Sequence, residues 1–399
     1  MKKQARLLIL LSCFQCGCQL IQGSSVKSSW DKLDEAESID CESWPMKADE
    51  LEVMDVHPVD HLKSSGFLVS GRSRNGSLFH YAVDVDGDEI DEESRTPITW
   101  GFGTEIIATF PVQGKTAVLL ETTGPSGKKR LEIRDINTNV IRFKSKERQA
   151  SFRSRKAIAD ENGFWLAYLT DTGDQSMEDQ PFQFVRFEWG EKGSLNIKNA
   201  ATKRAVGEIE MVRLPNQKAL VVWLDAGTSD AQKDPKFRYF ILDAAEKAKT
   251  YTLDVTISER IESWNLNRNE AGIVLAYITG DTLLWENASL QVVRLGNGGD
   301  IIEKNEFAIT NEHVGDPLLV PGVSGIYLVL SKWLDRESTV NVYKITSSDL
   351  VNMGYYGIFK EGTYLQQAFF SPYSRNLFLV TQSPSGYTRK YTLCALDPS

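Results

Sequence analysis

Short apolar runs recur along most of the chain at a near-constant interval. They begin at Phe67 (FLVS), Ala117 (AVLL), Phe164 (FWLAY), Ala219 (ALVVW), Ile273 (IVLAY), Ile326 (IYLVL) and Asn376 (NLFLV), 47–55 residues apart. A second run follows each after a polar turn, in the same phase: Leu78–Tyr81, Leu131–Arg134, Phe182–Val185, Phe237–Phe240, Leu290–Val293, Val340–Tyr343 and Tyr391–Cys394. Turn residues such as Asp86-Gly87, Asn137-Thr138 and Asn297-Gly298 come next and suit tight hairpins. A shorter run precedes several units (Ile106–Phe110, Glu208–Val212, Leu318–Val320), and a fourth follows some, as at Val140–Phe143. Runs of four or five apolar residues rich in β-branched and aromatic types, bounded by turns, predict strands.

Three or four antiparallel strands per unit of about 50 residues is the repeat of a β-propeller blade. One such sheet cannot bury both of its faces alone, whereas sheets set around an axis bury them against each other. The chain is therefore expected to be all-β, a propeller of seven blades, with six or eight left open. The rival architecture, two β-sandwich domains, predicts no phase shared along the whole chain. The last unit stops at Ser399 after its third strand, so an N-terminal strand is expected to close the ring. Beyond residue 18 the cysteines are Cys41, where the chain enters the fold, and Cys394, in the last strand. An oxidising compartment permits a disulfide between them, set against two unrelated buried thiols.

The N-terminus follows a different pattern. Lys2, Lys3 and Arg6 precede the apolar stretch Leu7–Leu11, which runs to about Phe14 and is far shorter than the roughly 20 residues a spanning helix needs. It predicts an export signal over residues 1–18. Cys13, Cys16 and Cys18 close it, and the segment resembles the lipobox of bacterial lipoproteins, in which a small residue precedes a lipidated Cys. Leu10-Leu11-Ser12-Cys13 fits by residue type; Gly17-Cys18 fits the position before the cysteine and leaves a longer apolar region, although Gln15 departs from the pattern. Both Cys18 and Cys13 stand as lipidation candidates, against an ordinary cleaved signal. Neither is followed by Asp, which fits outer-membrane sorting. The resemblance implies a lipid anchor on the periplasmic side of the outer membrane or at the cell surface. Residues 19–43 are polar and predict a tether, leaving 44–399 for the propeller.

Phe369-Phe370-Ser371-Pro372-Tyr373-Ser374-Arg375-Asn376-Leu377 resembles the FSPDG-x-x-L turn of TolB-like and WD-type propeller repeats, with Tyr373-Ser374 where those carry Asp-Gly. Asp160-Glu161-Asn162-Gly163-Phe164 echoes it. Only these stretches match, so the resemblance implies the architecture and no activity.

Composition narrows the function classes. The chain has 399 residues, 54 acidic against 45 basic, and a net charge of −9. That excludes a general nucleic-acid binder, which needs a surplus of Lys and Arg. Asp84-Val85-Asp86-Gly87-Asp88, followed by Asp91 and Glu92, places carboxylates around a glycine and resembles the calcium loops of FG-GAP propellers. Glu89 replaces their second glycine and the motif occurs once, while the repeat phase aligns it with the turn Leu295–Asp300. A calcium site at Asp84, Asp86, Asp88, Asp91 and Glu92, the one cofactor the sequence offers, therefore stands against a plain hairpin turn. Arg142, Lys144, Lys146 and Arg148 alternate, which puts them on one face of a strand. They fit an anion-binding patch, or the cations that protect a sheet edge from pairing.

The chain carries no nucleophile elbow, zinc helix or phosphate loop. Trp165 and Trp223 lie within apolar runs and predict blade core rather than a carbohydrate platform. The expected function is a non-enzymatic binding or assembly scaffold of the bacterial cell envelope. Its partner would be an envelope protein or polysaccharide, and it would meet the membrane only through its lipid. A glycan hydrolase or lyase is the alternative, because an axial site assembled from several blades needs no local motif.

Overall fold

The computed structural model describes Cys41–Pro45, 51–59, 66–73, 78–84 and 104–395. Within the last range it leaves out connecting segments, chiefly 146–151, 171–180, 190–194, 205–208, 226–235, 244–249, 256–260, 282–285, 310–312, 361–363, 371–375 and 383–388. The described residues form β-strands joined by turns, and each predicted run lies on a strand, with Val140 just ahead of its strand and Glu208 outside the described residues.

Strand β1 (Cys41–Pro45) comes first. The first sheet holds β2 (Leu51–Val59), β3 (Gly66–Ser73) and β4 (Leu78–Asp84). The second holds β5 (Glu105–Val112), β6 (Lys115–Thr123), β7 (Lys129–Asp135) and β8 (Ile141–Lys144). The third holds β9 (Phe152–Asp160), β10 (Gly163–Thr170), β11 (Pro181–Trp189) and β12 (Leu195–Arg204). The fourth holds β13 (Ile209–Arg213), β14 (Ala219–Asp225), β15 (Lys236–Leu242) and β16 (Thr250–Thr252). The fifth holds β17 (Ile261–Asn269), β18 (Gly272–Asp281), β19 (Glu286–Leu295) and β20 (Ile301–Ala308).

In the sixth, β21 (His313–Val314) and β22 (Leu318–Gly322) both pair with β23 (Gly325–Leu334), followed by β24 (Glu337–Ile345) and β25 (Leu350–Lys360). The seventh holds β26 (Tyr364–Phe370), β27 (Asn376–Gln382) and β28 (Arg389–Ala395), and β1 lies beside β28 as its fourth strand. Among the described strands all pairings are antiparallel, and apart from β1 with β28 and β21 with β23 they join strands consecutive in the chain, as in a meander. The first strands of successive sheets lie against one another, from β2 through β5, β9, β13, β17 and β22 to β26.

Strand alternation explains why the first runs are apolar without a break. In β18, Ile273, Leu275 and Tyr277 join a cluster with Leu220, Val222 and Phe237 of the fourth sheet. The intervening Val274, Ala276 and Ile278 join Ile326, Leu328 and Leu330 of the sixth. The same split recurs in β10: Trp165 and Ala167 meet the fourth sheet, Phe164 and Leu166 the second. In β23, Leu328 meets the fifth sheet, and Tyr327 and Val329 meet Leu377 and Leu379 of the seventh. Successive side chains point to opposite faces, so a strand with a neighbouring sheet on each side needs apolar residues at both parities.

Two glycines are required by close approach. A Cβ on Gly163 would sit 1.9 Å from the Phe187 carbonyl oxygen. Gly299, at φ +81°, brings the β19–β20 turn onto the Tyr239 ring of the fourth sheet, 2.2 Å from where a Cβ would stand. That turn is the one the repeat phase aligns with the acidic segment near residue 88. It closes with Gly296 N–H donating to the Asp300 carbonyl at 2.8 Å.

Candidate functional site

The first strands bring polar side chains to the inner side of the sheets, where they bridge one sheet to the next. Lys156 of β9 donates to Glu210 of β13, with Nζ 2.9 Å from Oε1 and 2.7 Å from Oε2. Asn267 Nδ2 of β17 donates to the Leu319 carbonyl of β22 at 2.8 Å, and Leu319 N–H donates to Asn265 Oδ1 at 3.3 Å. Arg268 Nη1 reaches the Arg213 carbonyl at 2.8 Å. Burial, and then the nearby Arg213 guanidinium, pull the Arg268 pKa below its ordinary value. Trp165 Nε1 donates to the Gln217 carbonyl at 3.0 Å, and the Leu365 N–H donates to Ser331 Oγ at 3.0 Å. The bonds to Leu319, Arg213 and Leu365 complete backbone groups that a first strand does not pair within its own sheet.

A cleft of about 350 Å³ opens between the fifth and sixth sheets, at the end that carries the β17–β18 and β22–β23 turns. Val274 and Ile326 line it with apolar groups, and Asn269, Ser324, Arg294, Lys344 and Thr346 supply its polar groups. Two cations beside hydroxyl and amide groups suit an anionic or strongly polar group. No local motif marks these residues in the sequence. Their signal lies in the repeat phase: Arg294 and Lys344 stand opposite Val274 and Tyr327, the second residue of their first runs, as Arg186 stands opposite Trp165. Arg186 takes that position into the core. It is 0% exposed, with its guanidinium carbon 5.5 Å from the Trp165 ring centre.

The second sheet buries charge. Glu132, 0% exposed, accepts from Arg130 Nε at 2.5 Å and from Arg134 Nε at 2.8 Å and Nη2 at 2.6 Å. Burial alone would raise its pKa, but Arg134 and Arg130 together hold the carboxyl below its ordinary range. Glu121, also buried, pairs with Lys129 Nζ at 2.9 Å.

Of the predicted basic stripe, Arg142 and Lys144 lie on β8, the last strand of its sheet, and Lys146 and Arg148 lie outside the described residues. Arg142 Nη2 donates to the buried Asp135 Oδ2 at 3.0 Å, so one of the two described cations is held by its own sheet. Lys144 is exposed. Of the calcium candidates, Asp84 ends β4 opposite Gly66, while Asp86, Asp88, Asp91 and Glu92 lie outside the described residues, as do Cys13 and Cys18. Cys41 and Cys394 are brought together as opposed residues of β1 and β28. Trp165, Trp223 and Trp264 are buried in core clusters.

A buried polar row crosses the fifth sheet. Thr279 and Ser289 share a hydrogen bond at 2.9 Å, and Gln291 Nε2 donates to Ser289 Oγ at 3.0 Å. Tyr277, opposite Gln291, is fully buried. Burial, and then the Glu306 carboxylate, raise its pKa well above the usual value, so the phenol keeps its proton.

No protein-family model and no curated protein matches this chain. Solved structures do. The β-propeller domain of the Trilobed protease from Pyrococcus furiosus, described as having an open velcro topology, aligns at 10% identity over 88% of this chain and 96% of that one, with a TM-score of 0.50. A Mycobacterium tuberculosis puromycin-hydrolyzing peptidase aligns at 11% identity over 87% of this chain, with a TM-score of 0.53. This chain covers 52% of that peptidase, about half its length. At such identity the likeness concerns the fold alone, and with the antiparallel four-stranded sheets it identifies the fold as a β-propeller.

Proposed function

We propose that this chain is an exported, lipid-anchored propeller that serves as a non-enzymatic binding and assembly scaffold in the bacterial cell envelope. In this reading the seven sheets are seven blades of one ring, and β1 closes it as the outer strand of the last blade. The observation that carries the reading is the use of polar groups on the first strands. Lys156 neutralises Glu210, and Asn265 and Asn267 hold the Leu319 backbone, so these side chains serve rigidity rather than an acid–base pair. A rigid ring offers its loops and clefts to a partner without rearrangement, and the cleft between the fifth and sixth sheets suits an anionic group of an envelope protein or polysaccharide.

The membrane is met through the lipid on Cys18, or on Cys13. Mass spectrometry of the N-terminal peptide from the membrane fraction tests this, and an unmodified peptide in the soluble fraction overturns it. Capture of partners from native, membrane-attached protein, run beside a panel of glycans, tests the scaffold. An envelope partner with no glycan turnover is expected; turnover without a partner would establish the enzyme reading instead. The segment Asp84–Glu92 is retained as a calcium loop, to be tested by a rise in Tm with millimolar Ca²⁺ that is absent in Asp86→Asn.

A further inference from the structure

We infer that Cys41 and Cys394 form a disulfide that seals the join between β1 and β28. The two strands run antiparallel with Cys41 and Cys394 as Cα partners. The register continues unshifted through Glu42 with Leu393, Ser43 with Thr392, Trp44 with Tyr391 and Pro45 with Lys390, so the opposition is a property of the whole ladder. Opposed residues in an antiparallel ladder have Cα atoms about 5.5 or 4.5 Å apart, depending on whether they exchange hydrogen bonds. A disulfide takes about 4.4–6.8 Å, which covers both cases. The sequence points independently to the same pair, since these two are the cysteines beyond residue 18. The bond would lock a five-residue strand onto β28. It would also constrain the unfolded chain over nearly its full length, where a cross-link restricts the ensemble most.

Two thiols give up two protons and two electrons to make one S–S bond. The acceptor is a disulfide, of a protein or of glutathione, which is reduced to two thiols by exchange. In the cell the bond rests on the proposed export, which supplies an oxidising compartment. Its geometry does not, so the test is made on purified full-length protein equilibrated with oxidised or reduced glutathione, alkylated and digested without reductant.

A peptide containing Cys41 linked to one containing Cys394 is expected in the oxidised sample and two alkylated peptides in the reduced one, with Tm lower by about 5 °C after reduction. A Cys41→Ser/Cys394→Ser variant should melt like the reduced wild type in both buffers. Cys394 that stays alkylatable in oxidised glutathione, or that links to Cys13, Cys16 or Cys18, overturns the inference, as does a serine variant that still loses the same Tm on reduction. Failure of export has a separate signature: the linked peptide forms in glutathione while native protein, recovered from the cytosol, carries both thiols free.

Discussion

The second and fifth sheets share a strand plan and bury different things. In the fifth, β18 sends Leu275 to one neighbouring sheet and Val274 and Ala276 to the other, so this stretch of the strand is apolar on both faces. In the second, one face carries Ala117, Leu119, Leu131 and Ile133 against the third sheet, while the opposite face of β7 carries Arg130, Glu132 and Arg134. Apolar burial is undirected and tolerates small shifts between sheets. A carboxylate held by two guanidinium groups fixes its geometry and, unlike leucine, responds to pH. The same backbone repeat thus accepts two kinds of adhesive.

The contrast can be broken by mutation, most strongly at the ion cluster. Glu132→Ala leaves two guanidinium groups facing each other in a buried site and should cost about 3–5 kcal/mol in chemical denaturation. A Glu132→Leu/Arg130→Leu/Arg134→Met variant should recover much of that loss, because replacing a whole buried ionic group by apolar residues is far milder than breaking it. Leu275→Ala should cost about 2–5 kcal/mol, with no change in pH dependence.

Acid sharpens the comparison further. The folded pKa of Glu132 is lowered, so its contribution is present above the unfolded carboxyl pKa of about 4.3 and is lost as pH falls through the lower folded value. Denaturation midpoints between pH 7 and pH 3 should fall less steeply in Glu132→Gln than in the wild type, and equally steeply in Leu275→Ala. Asn267→Ala, which frees the Leu319 carbonyl, should cost about 1 kcal/mol. Lys144→Ala, exposed on β8, should change stability by less than about 0.5 kcal/mol, and self-association on light scattering should rise if that cation guards the edge.

The fold was legible because burial on both faces leaves an uninterrupted apolar run in the second strand of each unit, and such runs as FWLAY and IVLAY keep their spacing along the chain. The placement of β1 beside β28, which opposes Cys41 and Cys394, was legible from the missing fourth strand. The chemistry inside the sheets was less so. Arg130, Glu132 and Arg134 alternate with apolar residues, which locally reads as a solvent face, yet Glu132 is fully buried because its charge is met within the same strand. Arg186 is hidden in the same way beside Trp165. Arg294 and Lys344 lie about one repeat apart in sequence and share a cleft only because two sheets stack.

The register at the join also decides how the protein bears load. A pull through the N-terminal side of β1 reaches Cys41 before any other residue of that strand. A ladder loaded at one end opens like a zipper, one pair at a time. Because Cys41 and Cys394 are that first pair, the proposed disulfide would pass the tension into β28 and leave the hydrogen bonds of β1 unloaded. A tethered ring built this way would be strongest where its leash is attached.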